Sequence, residues 1–288
     1  MRLVPTEPRP ARPLEGEVRL RLDLSYDGTD FSGWALQPGR RTVQAEVTRA
    51  IGTVLRLDPA PRVQVAGRTD TGVHALGQVA HVDVPATVWT ALTAKAHAPV
   101  RKIAGVLPPD VRLRSIAPAP LHFDARFGAL FRRYAFRLSD ASGGGSPLRR
   151  FDTVDHPRAL DDAAMSVAAS TLVGLHDFAA YCRAREGSTT VRELQQCTVQ
   201  RSADVVEVLV RADAFCHSMV RSLVGALVAV GEGRRPVEWP ASLLTDRVRP
   251  PDITVASARG LTLLEVGYPP PSEYAARAAE TRAVRRPV

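Results

Sequence analysis

The chain is organised around the segment Gly67-Arg68-Thr69-Asp70-Thr71-Gly72-Val73-His74-Ala75. It carries one carboxylate, Asp70, on a loop framed by glycines, and a strand is predicted to follow over Val79 to Val84. Glycine tolerates positive φ and close approach of other backbone, so such a loop at a strand edge can present its carboxylate to a substrate. The spacing alone also fits a polar turn in which Asp70 accepts its own backbone N–H groups. Other segments must decide between these interpretations.

Length and charge indicate a large globular protein with a polyanionic partner. The 288 residues are 45% hydrophobic, which suits one large or two medium domains. The 38 Lys and Arg exceed the 30 Asp and Glu, giving a net charge of +8 and an isoelectric point near 10.1. Such a charge favours a nucleic-acid partner. Lysine occurs only at Lys95 and Lys102 and asparagine is absent, so a GC-rich genome is an alternative explanation.

The cysteines and the apolar runs indicate a cytoplasmic protein. Cys182, Cys197 and Cys216 are odd in number and form no CxxC pair. This pattern favours a reduced compartment and argues against a zinc site or a disulfide framework. No apolar run is long enough for a membrane span, and Met1 to Glu17 shows no signal-peptide core.

The first half of the chain, residues 18–120, is predicted to be α+β. Residues 1–17, with four prolines, are expected to be a disordered leader. Alternation over Val18 to Tyr26 predicts a half-buried strand, and Thr42 is a good N-cap for an amphipathic helix. In the turn between them, Phe31 and Trp34 either plug the core, which we favour, or stack on a base. The connector Ala117-Pro118-Ala119-Pro120 is the candidate domain boundary.

The second half, residues 121–270, repeats the order of elements without a repeat in sequence. Because strand–helix–strand occurs twice, the pattern predicts two α+β halves built on antiparallel sheets. Residues 271–288 form an Arg-rich basic tail. The predicted elements of this half are strands over Phe131 to Leu138, Val191 to Arg201, Val205 to Ala212 and Leu261 to Val266, and helices over Leu160 to Val173 and His217 to Val230.

The helical segment Met219 to Val230 is apolar almost all round and should be buried on most faces. Arg221 and Ser222 are its only polar residues. A guanidinium in such surroundings is costly unless it reaches solvent at the helix start or meets a carboxylate or phosphate. An arginine facing a loop carboxylate would keep that carboxylate ionised, and an ionised, partly desolvated carboxylate is a usable nucleophile.

The Gly67 to Ala75 segment, with Gly77-Gln78-Val79, resembles the catalytic signature of the bacterial tRNA pseudouridine synthase A family. The resemblance covers most of Arg19 to Tyr268. Its further matches, in order, are Tyr26-Asp27-Gly28, Gly33-Trp34, Val43-Gln44, Phe123-Asp124-Ala125-Arg126-Phe127, Arg132-Arg133-Tyr134, Gly174-Leu175-His176-Asp177-Phe178, Thr189-Thr190-Val191-Arg192, Phe215 with His217, Met219-Val220-Arg221, and Gly260-Leu261 through Val266 and Tyr268.

The resemblance implies a chemistry and a role for each site residue. It implies isomerisation of uridine to pseudouridine at positions 38, 39 and 40 of the tRNA anticodon stem-loop, without metal or organic cofactor. Asp70 resembles the nucleophile and Arg221 its basic partner. Tyr134 resembles the tyrosine that stacks on the flipped uracil and relays a proton, and Arg68 the residue that fills the space left by that base. Whether Asp70 attacks C1′, attacks C6 or abstracts a ribose proton is left open.

The implied architecture is a pseudouridine synthase fold. Two ferredoxin-like halves would join their sheets across a basic cleft, with Asp70 on its floor. Family members act as homodimers in which one tRNA touches both subunits.

A purely structural explanation also fits several of these residues. Tyr134 could be a core aromatic, and Arg68 could brace its loop by an ion pair. His74, His176 and His217 lack the spacing of a metal site. Arg132-Arg133 and Arg149-Arg150 could follow phosphates or simply be solvated.

Two other functions are alternatives to a pseudouridine synthase. Asp70-Thr71-Gly72 is the tripeptide of aspartic proteases, but these pair two such aspartates and no second copy is present. A non-catalytic RNA-binding protein of the same fold is the other alternative, and the joint presence of Asp70, Tyr134 and Arg221 argues against it.

Overall fold

The computed structural model describes residues 12–95, 99–183, 189–251 and 253–282, so the predicted leader up to residue 11 and the tail from residue 283 lie outside it. The strands within these ranges are β1 (Glu17–Tyr26), β2 (Gln64–Val65), β3 (His74–Pro85), β4 (Val111–Pro118), β5 (Phe131–Ser139), β6 (Val154–Asp155), β7 (Gly174–Asp177), β8 (Val191–Ser202), β9 (Val205–Ala212) and β10 (Leu261–Gly267). The helices are α1 (Val43–Leu55), α2 (Ala86–Lys95), α3 (Pro99–Ala104), α4 (Asp162–Ser170), α5 (Met219–Gly231), α6 (Trp239–Asp246) and α7 (Tyr274–Arg282).

One continuous sheet runs through both halves in the order β4-β1-β3-β10-β5-β9-β8-β7, with β2 added to β3 and β6 to β5. The first half therefore has the order β4-β1-β3-β2 and the second contains β10-β5-β9-β8, which is the same βαββαβ arrangement twice. The halves meet where β10 runs parallel to β3, with Thr262 opposite His74 and Leu263 opposite Ala75. The predicted α+β class, with antiparallel sheets joined at the centre, is confirmed.

The junction between the halves lies at the end of the Gly67 to Ala75 segment. Strand β3 pairs with β1 along one edge, while its other edge pairs with β2 at Ala80 and His81 and with β10 at His74 and Ala75. The loop that carries Asp70 therefore lies at the point where the two halves come together.

The hydrophobic patterns of the first half have the predicted consequences. Leu20, Leu22 and Leu24 of β1 are fully buried. The Thr42 side chain caps α1 by accepting a hydrogen bond from the Ala45 N–H. Phe31 and Trp34 are 2% and 1% exposed, so they plug the core, as predicted, and offer no stacking surface.

In the second half, α5 is the central helix. Eleven of its thirteen residues are buried, and Arg221 is one of the two that are not. Helix α4 packs against β8 and α5, and α6 also contacts both helices. Among the described residues, no helix is both long and apolar enough to cross a membrane.

The sequence patterns did not predict several elements. Strand β4 is one of them, and it includes Ala117 and Pro118 of the supposed connector. Strand β7 and helix α6 were not assigned either. Helix α7 occupies part of the predicted basic tail because Tyr274 is buried against Phe123, with ring centroids 5.5 Å apart.

The cysteine pattern argued against a disulfide framework, and it did not predict a single disulfide. Cys182 and Cys216 form one, with Cα atoms 5.7 Å apart, while Cys197 is free and buried. The two segments lie side by side because the Arg183 N–H donates to the His217 carbonyl at 3.1 Å. A contact between residues 34 positions apart leaves no local signal in sequence.

Candidate active site

The Asp70 loop, Ala66 to Val73, is clamped from three directions. The Tyr26 hydroxyl lies 2.9 Å from Thr69 Oγ1, and Gln78 Nε2 donates both to that hydroxyl at 3.0 Å and to the Gly67 carbonyl at 2.9 Å. The Trp34 N–H donates to the Thr69 carbonyl at 3.0 Å. Burial raises the pKa of Tyr26 to about 12, so it remains a neutral hydrogen-bonding phenol.

Gly33 allows the turn before α1 to approach this loop closely. Its φ is +85°, and a Cβ at this position would lie 2.8 Å from the Thr69 carbonyl oxygen and 3.1 Å from the Asp70 carbonyl carbon. Only glycine meets both conditions without strain. The backbone on either side of Asp70 is therefore held by direct contact with Gly33 and Trp34.

Asp70 faces two cationic or titratable groups from the start of α5. Arg221 Nη1 lies 4.0 Å from Asp70 Oδ2, and His217 Nε2 lies 3.6 Å from Asp70 Oδ1. These distances are electrostatic contacts rather than hydrogen bonds. The Asp70 side chain is 34% exposed, so its carboxylate is both oriented and accessible. Such a carboxylate can act on a substrate that enters from the open side.

The turn into α5 aims these side chains at Asp70. Ser218, the N-cap, has φ +63° in the left-handed region and makes no side-chain capping bond. A left-handed conformation of a non-glycine residue costs about 1–2 kcal/mol, and such strain is common at functional sites. Arg221 is fixed further by its Nε, which donates to the Ala256 carbonyl at 2.6 Å.

The electrostatics of Arg221 reflect a crowded site. Burial lowers the pKa of its guanidinium, the charge of Asp70 opposes that shift, and the charge of Arg183 adds to it. A second arginine therefore lies near the Asp70–Arg221 pair.

Tyr134 lies on β5 near Asp70 and is 7% exposed. Its ring packs edge-on against Phe215, with centroids 5.3 Å apart. Burial is the main cause that raises the pKa of Tyr134, and the charge of Asp70 contributes to the rise. The phenol therefore keeps its proton and can serve as a neutral hydrogen-bond donor. Tyr134 is packed as a core aromatic, which was the alternative interpretation, and it also borders the site.

The structure brings together Asp70, Tyr134 and Arg221, and places Arg68 with an exposed side chain on the same loop. It adds His217, which was a family match and a weak candidate metal ligand in the sequence but had no predicted role beside Asp70. The signal was available, because Phe215 and His217 directly precede the arginine helix.

Arg132 does not follow phosphates. It is 7% exposed and donates to three backbone carbonyls, those of Ala66, Arg126 and Asp213, at 2.7–2.8 Å. It thereby ties the first residue of the Asp70 loop to the second half. Arg149 is paired with Asp152 at 2.6 Å.

The histidines have separate surroundings. His74 is buried, where its Nδ1 accepts from the Gly28 N–H and its Nε2 lies 3.0 Å from the Arg259 carbonyl. His176 Nε2 lies 3.3 Å from the Val173 carbonyl. Within the described ranges, no three His, Cys, Asp or Glu side chains are grouped as metal ligands.

Comparison with known proteins gives matches along nearly the whole chain. A family profile described as tRNA pseudouridine synthase matches residues 168–269. A protein of Frankia casuarinae, named tRNA pseudouridine synthase A, is 61% identical over 274 residues, which cover 95% of this chain and 97% of that protein. A protein of Streptomyces griseus subsp. griseus with the same name is 55% identical and covers 94% and 95%.

Among solved structures, one described as "Crystal structure of the archaeal box H/ACA sRNP Nop10-Cbf5 complex" aligns with a TM-score of 0.31 at 12% identity. The alignment covers 73% of this chain and 44% of that one.

These near full-length relatives, with which the profile match agrees, define the class as a pseudouridine synthase. With identities above one half over almost the full length of its relatives, the chain belongs to the tRNA pseudouridine synthase A family.

Proposed function

We propose that this chain isomerises uridine to pseudouridine at positions 38, 39 and 40 of the tRNA anticodon stem-loop, with Asp70 as the nucleophile. The isomerisation of tRNA uridine follows from membership of the family. The observation that carries the assignment of Asp70 is its accessible carboxylate, which faces Arg221 and His217 beside Tyr134.

The proposed reaction conserves all atoms of the nucleotide. Asp70 promotes cleavage of the C1′–N1 glycosidic bond, the freed uracil rotates, and a new bond forms between C1′ and C5. The proton on C5 is released and N1 gains one. No redox step or external co-substrate is involved, and the chemistry needs only a charged carboxylate and a proton carrier near C5.

Tyr134 is the proposed proton carrier and base contact. Because burial keeps its hydroxyl protonated, the phenol can take up the C5 proton only while it passes its own proton to another acceptor, so that the side chain stays uncharged. The target nucleotide must leave the helical stack to reach Asp70, at a cost of a few kcal/mol. Arg68, exposed on the same loop, is proposed to fill the space that the base leaves.

Two further proposals follow from the resemblance. We propose that the protein acts in the cytoplasm and as a homodimer that binds one tRNA across both subunits. Light scattering that gave the 31.1 kDa mass of one chain would reject the dimer.

The site of modification is tested with anticodon stem-loop transcripts labelled with tritium at C5 of uridine. The account predicts tritium release, and mapped pseudouridine at positions 38, 39 and 40 but not at uridines elsewhere in the loop. Transcripts with cytidine at all three positions are the matched control and should release no tritium. Binding without release would favour the non-catalytic alternative, and release from the control would overturn the position assignment.

A further inference from the structure

Three arginines from separate segments cluster at the start of α5, where Arg221 faces Asp70. Arg183 follows the short 3₁₀ turn Ala179–Tyr181, Arg221 lies on α5, and Arg249 lies just after α6. The Arg183 N–H donates to the His217 carbonyl at 3.1 Å, which places Arg183 beside the start of α5. Arg249 Nη2 donates to Ser222 Oγ at 3.2 Å, and Ser222 directly follows Arg221.

These arginines carry more positive charge than the site neutralises. Among the residues that the structure describes, neither Arg183 nor Arg249 has a carboxylate within ion-pair distance, while Arg221 shares Asp70 with His217. Burial lowers the pKa of Arg249, and repulsion from Arg183 lowers it further. The same repulsion acts on Arg221. Among the described residues, Asp70 is the one carboxylate within ion-pair distance of any of these three guanidinium groups, and of the three it contacts only Arg221, so the cluster favours an additional anion.

Arg249 also has an unused hydrogen-bond donor. Its Nη1 is shielded from solvent and has no partner in the part of the chain that the structure describes, while Nη2 is occupied by Ser222, which is fully buried. Buried polar groups in proteins are nearly always satisfied, and an exception calls for a missing partner. An oxyanion that approached Arg249 from the Arg183 side, with a small shift of the guanidinium, would supply both an acceptor and the missing charge.

We propose that Arg183 and Arg249, beside Arg221, bind one backbone phosphodiester next to the nucleotide on which Asp70 acts. This inference rests on the proposed function, because RNA supplies the anion. The ribose whose C1′ reacts is bonded to two phosphodiesters, so one of them must lie close to Asp70 during the reaction. Arginine is suited to this contact, since its planar fork matches the geometry of two phosphate oxygens. Holding the phosphodiester would position the ribose relative to Asp70.

The first test measures how tRNA affinity depends on salt for Arg183→Gln and Arg249→Gln. Removal of one phosphate contact should weaken binding about three- to tenfold and lower the slope of log K against log salt concentration by about 1. The single-turnover rate at saturating tRNA should fall as well, because the ribose is then less well positioned relative to Asp70. The matched control is Arg158→Gln, the same charge change at the far end of α5, where Arg158 is 65% exposed and paired with Glu232. An unchanged slope in both variants, or an equal change in the control, would overturn the proposal.

The second test identifies the source of the anion. Stem-loops with one uncharged methylphosphonate on the 5′ or the 3′ side of the target uridine should bind the parent more weakly at one of these sites. For the stem-loop modified at that site, Arg249→Gln should not weaken binding any further. The contrary outcome is that inorganic phosphate stabilises the parent against unfolding while neither methylphosphonate weakens RNA binding. In that case the site would bind free phosphate, and the assignment to RNA would be wrong.

Two further controls separate the possible failures. Arg249→Lys keeps the charge and should retain most of the salt slope, which distinguishes a lost contact from a misfolded variant. Absence of pseudouridine formation by the parent would reject the proposed function itself, whereas activity with unaltered salt slopes would reject only the phosphodiester site.

Discussion

The loop backbone at Asp70 is held in place by contacts with Tyr26, Gly33 and Trp34. The Thr69 carbonyl accepts a hydrogen bond from the Trp34 N–H, and the Thr69 hydroxyl is hydrogen-bonded to the Tyr26 hydroxyl. The backbone of Thr69 and Asp70 packs against Gly33. The carboxylate itself has no hydrogen-bonding partner within 3.5 Å among the described residues, and its neighbours His217 and Arg221 stand slightly farther away. The loop is therefore rigid at its backbone while the carboxylate is left accessible for a substrate.

The Gly33 contact gives a prediction for Gly33→Ala. The new methyl group would press on the Thr69 carbonyl and displace Asp70, and a misplacement near 1 Å can cost about 100-fold in rate. We expect the single-turnover rate to fall at least about tenfold. Gly39→Ala is the matched control, because Gly39 also has a positive φ, +67°, but no atom within 4 Å of a new Cβ. Equal rates in the two variants would show that the contact does not position Asp70.

At this scale, sequence patterns predicted the proposed nucleophile but not its full surroundings. Asp70, Tyr134 and Arg221 could be selected because each lies in a recognisable local pattern. Arg183 and Arg249 could not, since their roles depend on contacts between segments far apart in the chain. Arg132 was misjudged for the same reason: a pair of adjacent arginines says nothing about which one is buried.

At the scale of elements, helix α5 carries the cationic side of the site and must be fixed against the sheet. Helix α4 packs against both α5 and β8. Arg201 of β8 anchors its start by binding Asp140 at 2.8 Å, Asp162 at 2.6 Å and the Leu160 carbonyl at 2.8 Å. The hydrogen bond from Arg201 is the main cause that lowers the pKa of Asp140 to about 2.

Replacing Arg201 should cost stability in a pH-dependent way. The pKa of Asp140 is below its unfolded value of 3.8, so its contribution is present above pH 4 and is lost as the pH falls toward 2. We expect Arg201→Gln to lower the free energy of unfolding by roughly 1–2 kcal/mol at pH 7, allowing for the partial exposure of Arg201, and by clearly less at pH 2.5.

Urea unfolding at both pH values measures this difference. Arg49→Gln, which breaks the exposed Arg49–Glu46 pair on α1, is the control and should change stability by less than about 0.5 kcal/mol. A loss for Arg201→Gln that is the same at both pH values would contradict the assignment to the ionised Asp140.

For the whole molecule, the site exists because two similar halves share one sheet. Asp70 comes from the first half, while Tyr134, His217 and Arg221 come from the second, and the β3–β10 pairing sets them face to face. Alternation and helical periodicity predicted the strands and helices that bury one face, such as β1 and α1. Short edge strands such as β7 were missed because neighbours, rather than their own sequence, define them. The disulfide and the joint between the halves are long-range contacts that no local pattern encodes.

The central claim is that Asp70 carries the chemistry of uridine isomerisation. Its most direct test is the single-turnover rate of Asp70→Asn on an anticodon stem-loop transcript, with Asp246→Asn, an exposed change at the end of α6, as the control. The account predicts that Asp70→Asn binds the transcript within a few-fold of the parent but converts it at least about 1,000-fold more slowly, and that Asp246→Asn behaves like the parent. Conversion by Asp70→Asn at close to the parent rate would contradict the account.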